Sequence, residues 1–259
     1  VFGSSISNAQ KAVFQSAATR WEQIITNDLP DIAGTIQSTI CGTSVTGFPS
    51  VNGIDDVVIF ANITAIDGPG GILGQAGPCA TRNSGTKLPA VGIMQFDSAD
   101  VGSFTATAFQ DVILHEMGHV LGIGTVWKSK GLLSGAGSAG GCGATPTYTG
   151  ANAKAEYAAL GGSGNIPVEG SSDGSGPGTC DSHWREATFD NELMTGYYNA
   201  GVINPLSRMT IASLKDLGYE VSFATADPYI LPSVLGGLRP QGTRLRLNIK
   251  LVYPTGTLP

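Results

Sequence analysis

The stretch from Thr105 to Leu121, TATAFQDVILHEMGHVL, decides how the rest of the chain is read. It is apolar nearly all round, which predicts a buried helix. His115 and His119 stand at i and i+4 on that helix, one turn apart on one face, so both imidazoles reach the same metal ion. Glu116 is rotated by about 100° from His115, so it leans towards a metal-bound water without becoming a ligand. The whole chain holds three His, so this pattern rarely arises by chance, and a predicted helix is the context that supports it. Gly122 and Gly124 suit the helix end, because glycine accepts the left-handed conformation there. The chemistry indicated is a zinc site with Glu116 as its base.

A catalytic zinc takes three protein ligands and keeps one position open. Gly122 fills the glycine place of the compact H-E-x-x-H-x-x-G-x-x-H pattern, but Thr125 stands where the third His belongs. His183 is the remaining histidine and, by elimination, the leading third ligand. Asp111, Asp181 and Glu186 are the rival oxygen ligands.

Composition narrows the setting. With 259 residues the chain is long enough for one catalytic domain, or for one built of two lobes. A net charge of −6 leaves no broad basic surface for nucleic acid or an anionic membrane. No apolar run reaches the roughly 18 residues of a membrane span. Cys41, Cys79, Cys142 and Cys180 lie far apart with no C-x-x-C pair, which fits two disulfides in a secreted, periplasmic or cell-surface protein. The preferred pairing is Cys41 with Cys79 and Cys142 with Cys180, each tying a Gly-rich stretch on its own side of the metal motif. A chain that opens at Val1 reads as a processed form.

Outside the motif, Ser7 with Gln10 makes a capping-box pattern ahead of Val13, Phe14, Ala17, Trp21 and Ile24, which predicts an N-terminal helix. Strands are expected at 57–66 and 91–96, parted by the turn-rich 67–71. From Gly131 to Asp181 the chain is rich in Gly, Ser, Thr and Ala. Lying between two parts of the proposed site, it reads as a long insertion, with a helical patch at 151–160. Another helix is expected at 205–217. Residues 244–253 alternate, with Leu245, Leu247, Ile249, Leu251 and Tyr253 on one face and basic residues on the other. That predicts a single strand, available for pairing with a partner or merely guarding an edge. Residues 1–124 are expected to form the catalytic lobe with the zinc-binding helix. Residues 125–259 are expected to form a second lobe with the insertion, the third ligand and the terminal strand. The acidic, Gly-rich run Ser171 to Gly176 is a candidate Ca2+ loop that lacks EF-hand spacing.

Four stretches taken in order carry a resemblance: HEMGHVLGIG at 115–124, HWRE at 183–186, NELMTG at 191–196 and MTIASLKDLGY at 209–219. Together they resemble the leishmanolysin-like zinc metallopeptidases, a metzincin branch in which a long insertion parts the third His from the motif. The likeness runs from Ser7 to Tyr229, is strongest from about residue 108 onward, and leaves the end of the chain unmatched. The modest cysteine count favours a bacterial or archaeal relative. The resemblance implies an α+β zincin/metzincin-like fold. Its N-terminal lobe would carry a twisted mixed sheet and the active-site helix, and its loop-rich C-terminal lobe a Met-turn and a helix. It also implies peptide hydrolysis, one catalytic Zn2+, synthesis with an inhibitory pro-segment, and Met194 as the Met-turn residue beneath the metal.

The expected chemistry is hydrolysis of peptide bonds by a zinc-activated water. Glu116 would take the water's proton and hand it to the leaving amine. Tyr197 is the candidate for a hydrogen bond to the oxyanion, with simple packing as its rival role. The 91–96 strand, next before the helix, is expected by analogy to pair with extended protein or peptide substrates. Two other readings stand beside this one: a zinc hydrolase of non-peptide esters or amides, and a catalytically silent zincin-fold adhesion or binding module. Sequence patterns fix neither the natural substrate nor the oligomeric state.

Overall fold

The computed structural model describes residues 1–43, 45–138, 141–236 and 242–259. The chain runs α1 (Asn8–Glu22), β1 (Ile32–Ile36), β2 (Val51–Ile54), β3 (Val58–Thr64), β4 (Gly74–Arg82), β5 (Pro89–Asp97), α2 (Ser98–Val101) and α3 (Ala106–Val120). It continues through β6 (Leu133–Ser134), β7 (Thr147–Tyr148), α4 (Ala151–Ala159), β8 (Ile166–Pro167), α5 (Glu186–Phe189) and β9 (Tyr197–Ala200). The last elements are α6 (Arg208–Leu217), β10 (Thr243–Arg246), β11 (Ile249–Leu251) and β12 (Gly256–Leu258). Residues Val1–Glu22, Asn27–Thr125 and Asn248–Pro259 form one compact unit, and Gln23–Thr26 with Val126–Leu247 form another.

The first unit is built on a mixed sheet in the order β11-β4-β5-β3, with β12 also on β4. β3 runs parallel to β5, β4 antiparallel to β5, and β11 and β12 parallel to β4. β5 is buried along almost its whole length, as a central strand covered on both faces should be. The strand expected at 91–96 to receive substrate is therefore interior: β4 and β3 take both of its edges. The helices α1 and α3 pack together. Trp21 Nε1 donates to the Leu114 carbonyl at 3.1 Å, and Phe14 meets Phe96 and Phe109 edge-to-face. Ser7 and Gln10 form the predicted cap at the start of α1, with the Gln10 side chain accepting the Ser7 N–H at 2.9 Å. Cys41 is bonded to Cys79 in this unit.

The second unit centres on buried aromatic rings. Trp127, Tyr148, Trp184 and Phe189 stack tilted or edge-on at centroid distances of 4.5–6.2 Å. The described residues of the Gly-rich 131–181 stretch belong to this unit. They supply the small sheet β6-β7-β8, helix α4 and the Cys142–Cys180 disulfide. The Asp216 carboxylate on α6 accepts the N–H groups of Asn152 and Ala153 at 2.8 and 3.0 Å, so it caps α4 from outside.

The 244–253 stretch is two strands, not one. β10 pairs with β9 in the second unit, while β11 pairs with β4 in the first. The chain changes sheets at Leu247 and Asn248, which breaks the common face. Leu247, Ile249 and Leu251 are buried, but Leu245 and Tyr253 are exposed at 42% and 49%. The same pairing draws 248–259 into the unit that carries the metal helix, although the sequence groups it with the second lobe.

Candidate metal centre

Helix α3 begins where Thr105 Oγ1 accepts the Ala108 N–H. It ends before Gly122, whose φ of 110° no side chain adopts easily. His115, Glu116 and His119 are all buried on it. The Nε2 atoms of His115 and His119 converge to 2.9 Å. His119 Nδ1 donates to the Ile123 carbonyl at 2.8 Å, so its Nε2 keeps the lone pair that a metal needs. The loop that makes this contact is held by Thr125, whose hydroxyl donates to the His119 carbonyl at 2.7 Å. The residue in the place of the compact motif's third His is thus a buttress for the second.

His183 is held separately, within the second unit. Its Nδ1 lies 3.0 Å from the Thr179 carbonyl and 3.0 Å from Ser182 Oγ, which again leaves Nε2 for a metal. The neighbouring Trp184 N–H donates to the Met194 carbonyl at 3.0 Å. The turn through Met194 and Gly196 therefore sits beside the third histidine. A Cβ built on Gly196 falls 2.4 Å from Thr179 Cγ2 and 3.9 Å from His183 Cγ. Met194 itself is fully buried.

His115, His119 and His183 form a group that can hold a metal ion, their ligand atoms lying within 4.8 Å of one another. The donor set suits zinc: three imidazoles, two with their tautomers fixed by a second hydrogen bond. Glu116 supplies a second test of fit. Both of its carboxylate oxygens are buried without a hydrogen-bond partner, and burial raises its pKa well above the ordinary glutamate value. An orphaned carboxylate is costly unless water, substrate or a cation meets it.

Two of the rival ligands, Asp181 and Glu186, are otherwise engaged. Asp181 accepts the N–H groups of Gly137 and Gly143, and Glu186 lies 2.9 Å from Arg244 Nε. In the proposed Ca2+ loop, Asp173 pairs with Arg185 at 3.0 Å and accepts the Gly170 N–H, so its charge is already met. Tyr197 opens β9 opposite Arg246 and is half-buried. Sequence reading missed Thr179, Gly196 and the buried Glu192. Only Glu192 and Gly196, beside Met194 in the NELMTG stretch, carried a local signal.

A helix-borne histidine pair with an orphaned glutamate, on an α+β scaffold with a mixed sheet, defines a metzincin-like fold. The leishmanolysin family of metallopeptidases matches residues 31–233, and the chain belongs to that family. No curated protein matches the chain. Among the described residues, no helix is long and apolar enough to cross a membrane.

Proposed function

We propose that this chain is a secreted zinc endopeptidase in which His115, His119 and His183 hold the metal and Glu116 moves the proton. The observation that carries the reading is Glu116, buried with neither carboxylate oxygen in a hydrogen bond and with Oε1 3.9 Å from His115 Nε2. When bound, zinc supplies a Lewis acid that polarises the scissile carbonyl and makes water more acidic. Burial raises the affinity of Glu116 for a proton, which suits it to take one from the attacking water. It then returns that proton to the leaving amine. Met194 packs beneath the imidazoles, and Tyr197 donates to the oxyanion. Residues 1–124 act as the catalytic lobe with the zinc-binding helix, and 125–259 as the lobe with the Gly-rich insertion, third ligand and Met-turn, except that 248–259 joins the first unit. Two disulfides favour an oxidising, extracellular setting.

Elemental analysis and casein cleavage on the wild type, His183→Ala and Glu116→Gln test this. About one zinc per wild-type chain is expected. His183→Ala should lose both metal and activity. Glu116→Gln should keep the metal and lose about 10²–10⁴-fold in rate. A zinc-loaded wild type that leaves casein intact but cleaves a simple ester would move the reading to a non-peptide hydrolase.

A further inference from the structure

In the first unit, the outer edge of β4 is taken by the end of the chain. Helix α3 packs on β4 and β5. At that contact a Cβ on Gly92 of β5 would lie 2.3 Å from Val120 Cγ1, so the residue after His119 rests directly on the strand. In β4, Pro78 is registered with Gly92, and Gly77 beside it leads out to the other edge of β4. There a Cβ on Gly77 would lie 2.0 Å from the Val252 carbonyl. The 248–259 segment therefore crosses the outer edge of β4 at the level where the metal helix crosses the sheet.

The cover is nearly complete in hydrogen bonds. β11 pairs with Gly74 to Ala76, and β12 with Ala80 to Arg82. Between them, Val252 donates to the Ala76 carbonyl at 2.8 Å and Thr255 to the Cys79 carbonyl at 3.1 Å. At the two ends, Leu73 donates to Asn248 at 2.8 Å and Asn83 to Leu258 at 2.7 Å. The far edge of the sheet, β3, is met by Val1 to Gly3. An extended peptide that joins this sheet by strand addition needs the β4 groups that the segment already occupies.

Beyond these backbone bonds the side-chain anchoring is modest, with Val252 and Leu258 only partly buried against the core. The segment has two strands of three residues, each on one neighbour only, joined across Pro254. Lys250, Tyr253 and 255–257 are exposed, and the buried side chains are Ile249 and Leu251. Few buried contacts and short strands mark the low-stability end of a fold. The family match stops at residue 233, so the segment lies outside what the family pattern covers.

We propose that the 248–259 segment is a displaceable strap that holds the β4 edge in place of an extended peptide substrate, and that substrate must displace it to bind. This rests on the peptidase reading above. The device is an autoinhibitory contact: the edge is available only in the fraction of molecules with the strap undocked, so apparent affinity falls by that fraction.

The test uses the full-length, zinc-loaded chain with Glu116→Gln, so that a labelled, extended casein-derived peptide binds without cleavage. Saturating peptide should speed hydrogen exchange at the Val252 and Thr255 amides. Thr255→Pro, which removes one edge donor at an exposed position, should tighten peptide binding by about tenfold in fluorescence anisotropy. Ile249→Asp with Leu251→Asp should do the same if it folds. Bound peptide with both amides still protected overturns the proposal, as does equal affinity or no binding in Thr255→Pro. Strap displacement without casein cleavage by the Glu116 chain would sink the peptidase reading and leave the strap standing. Cleavage with the amides still protected would do the reverse.

Discussion

The backbone N–H of Met194 donates to Glu192 Oε2 at 2.7 Å, while Glu192 Oε1 accepts from Ser207 Oγ at 2.6 Å. Thr210 Oγ1 donates to the same Oε1 and itself accepts from Trp184 Nε1 at 2.7 Å. One fully buried carboxylate thus ties the Met194 turn, the start of α6 and the residue next to His183. Burial raises its pKa, and the hydrogen bonds from Ser207 and Thr210 partly oppose that.

Glu192→Ala strands these donors in the interior. The expected loss is on the order of 2–4 kcal/mol, since each unsatisfied buried donor costs about 1–3 kcal/mol. Thermal unfolding should show it, and zinc content should fall because His183 loses its neighbour's anchor. Glu192→Gln keeps one acceptor oxygen and should recover only part. Wild-type zinc affinity in Glu192→Ala would detach this network from the metal site.

Asp97 gives a prediction for acid. Its carboxylate accepts the N–H of Ala99 at 2.8 Å and, through the other oxygen, those of Asp67, Gly68 and Ile66 at 2.8–3.0 Å. These bonds, Ala99 first, hold its pKa down at about 2. A depressed carboxylate stabilises the fold above its unfolded pKa, and that contribution disappears as pH falls through about 2. Asp97→Asn should therefore lower the melting temperature at neutral pH, and the gap to wild type should close as pH drops below about 4. A gap that is constant with pH would exclude the ionised cap as the cause.

Glu186 works in the opposite sense. Burial lifts its pKa to about 7; Thr195 and Arg244 act to lower it, and Asp190 and Glu169 to raise it. The folded chain then binds more protons than the unfolded one between 4.5 and about 7. Stability should fall as pH rises through that window. Glu186→Gln removes the slope, so its melting temperature should gain on wild type between about pH 5 and pH 8. Parallel profiles would refute the assignment.

The legible part of the site was the part written locally. The i, i+4 histidines, Thr105 at the helix start and Gly122 at its end all act through neighbours in sequence, so spacing alone placed them. The 91–96 strand was found for the same reason. Its edge position, expected only by analogy, fails because which strands lie alongside is set by long-range pairing that the local sequence does not carry. The 244–253 stretch failed in a related way. Its alternation is real, but the chain crosses from one sheet to another within it, and long-range pairing leaves no periodic mark. Thr179 was invisible because its contribution is a carbonyl, which every residue has.

The contact between Gly196 and Thr179 tests how the third histidine is held. Thr179 offers its carbonyl to His183 Nδ1 at 3.0 Å while its methyl lies in the space a side chain at 196 would need, 2.4 Å from an added Cβ. Gly196→Ala must push Thr179 aside, which disturbs the acceptor that fixes the His183 tautomer. Overpacking of this kind costs about 1–3 kcal/mol, and loss of such an orienting bond typically weakens metal affinity by about 10–100-fold. Thr179→Ser keeps the carbonyl and removes the methyl, so the double variant Gly196→Ala/Thr179→Ser should regain most of the zinc affinity. Competition with a chromogenic chelator measures all four proteins. If the double variant binds zinc no better than Gly196→Ala alone, the methyl contact is not what Gly196 accommodates, and the turn must act on His183 by another route.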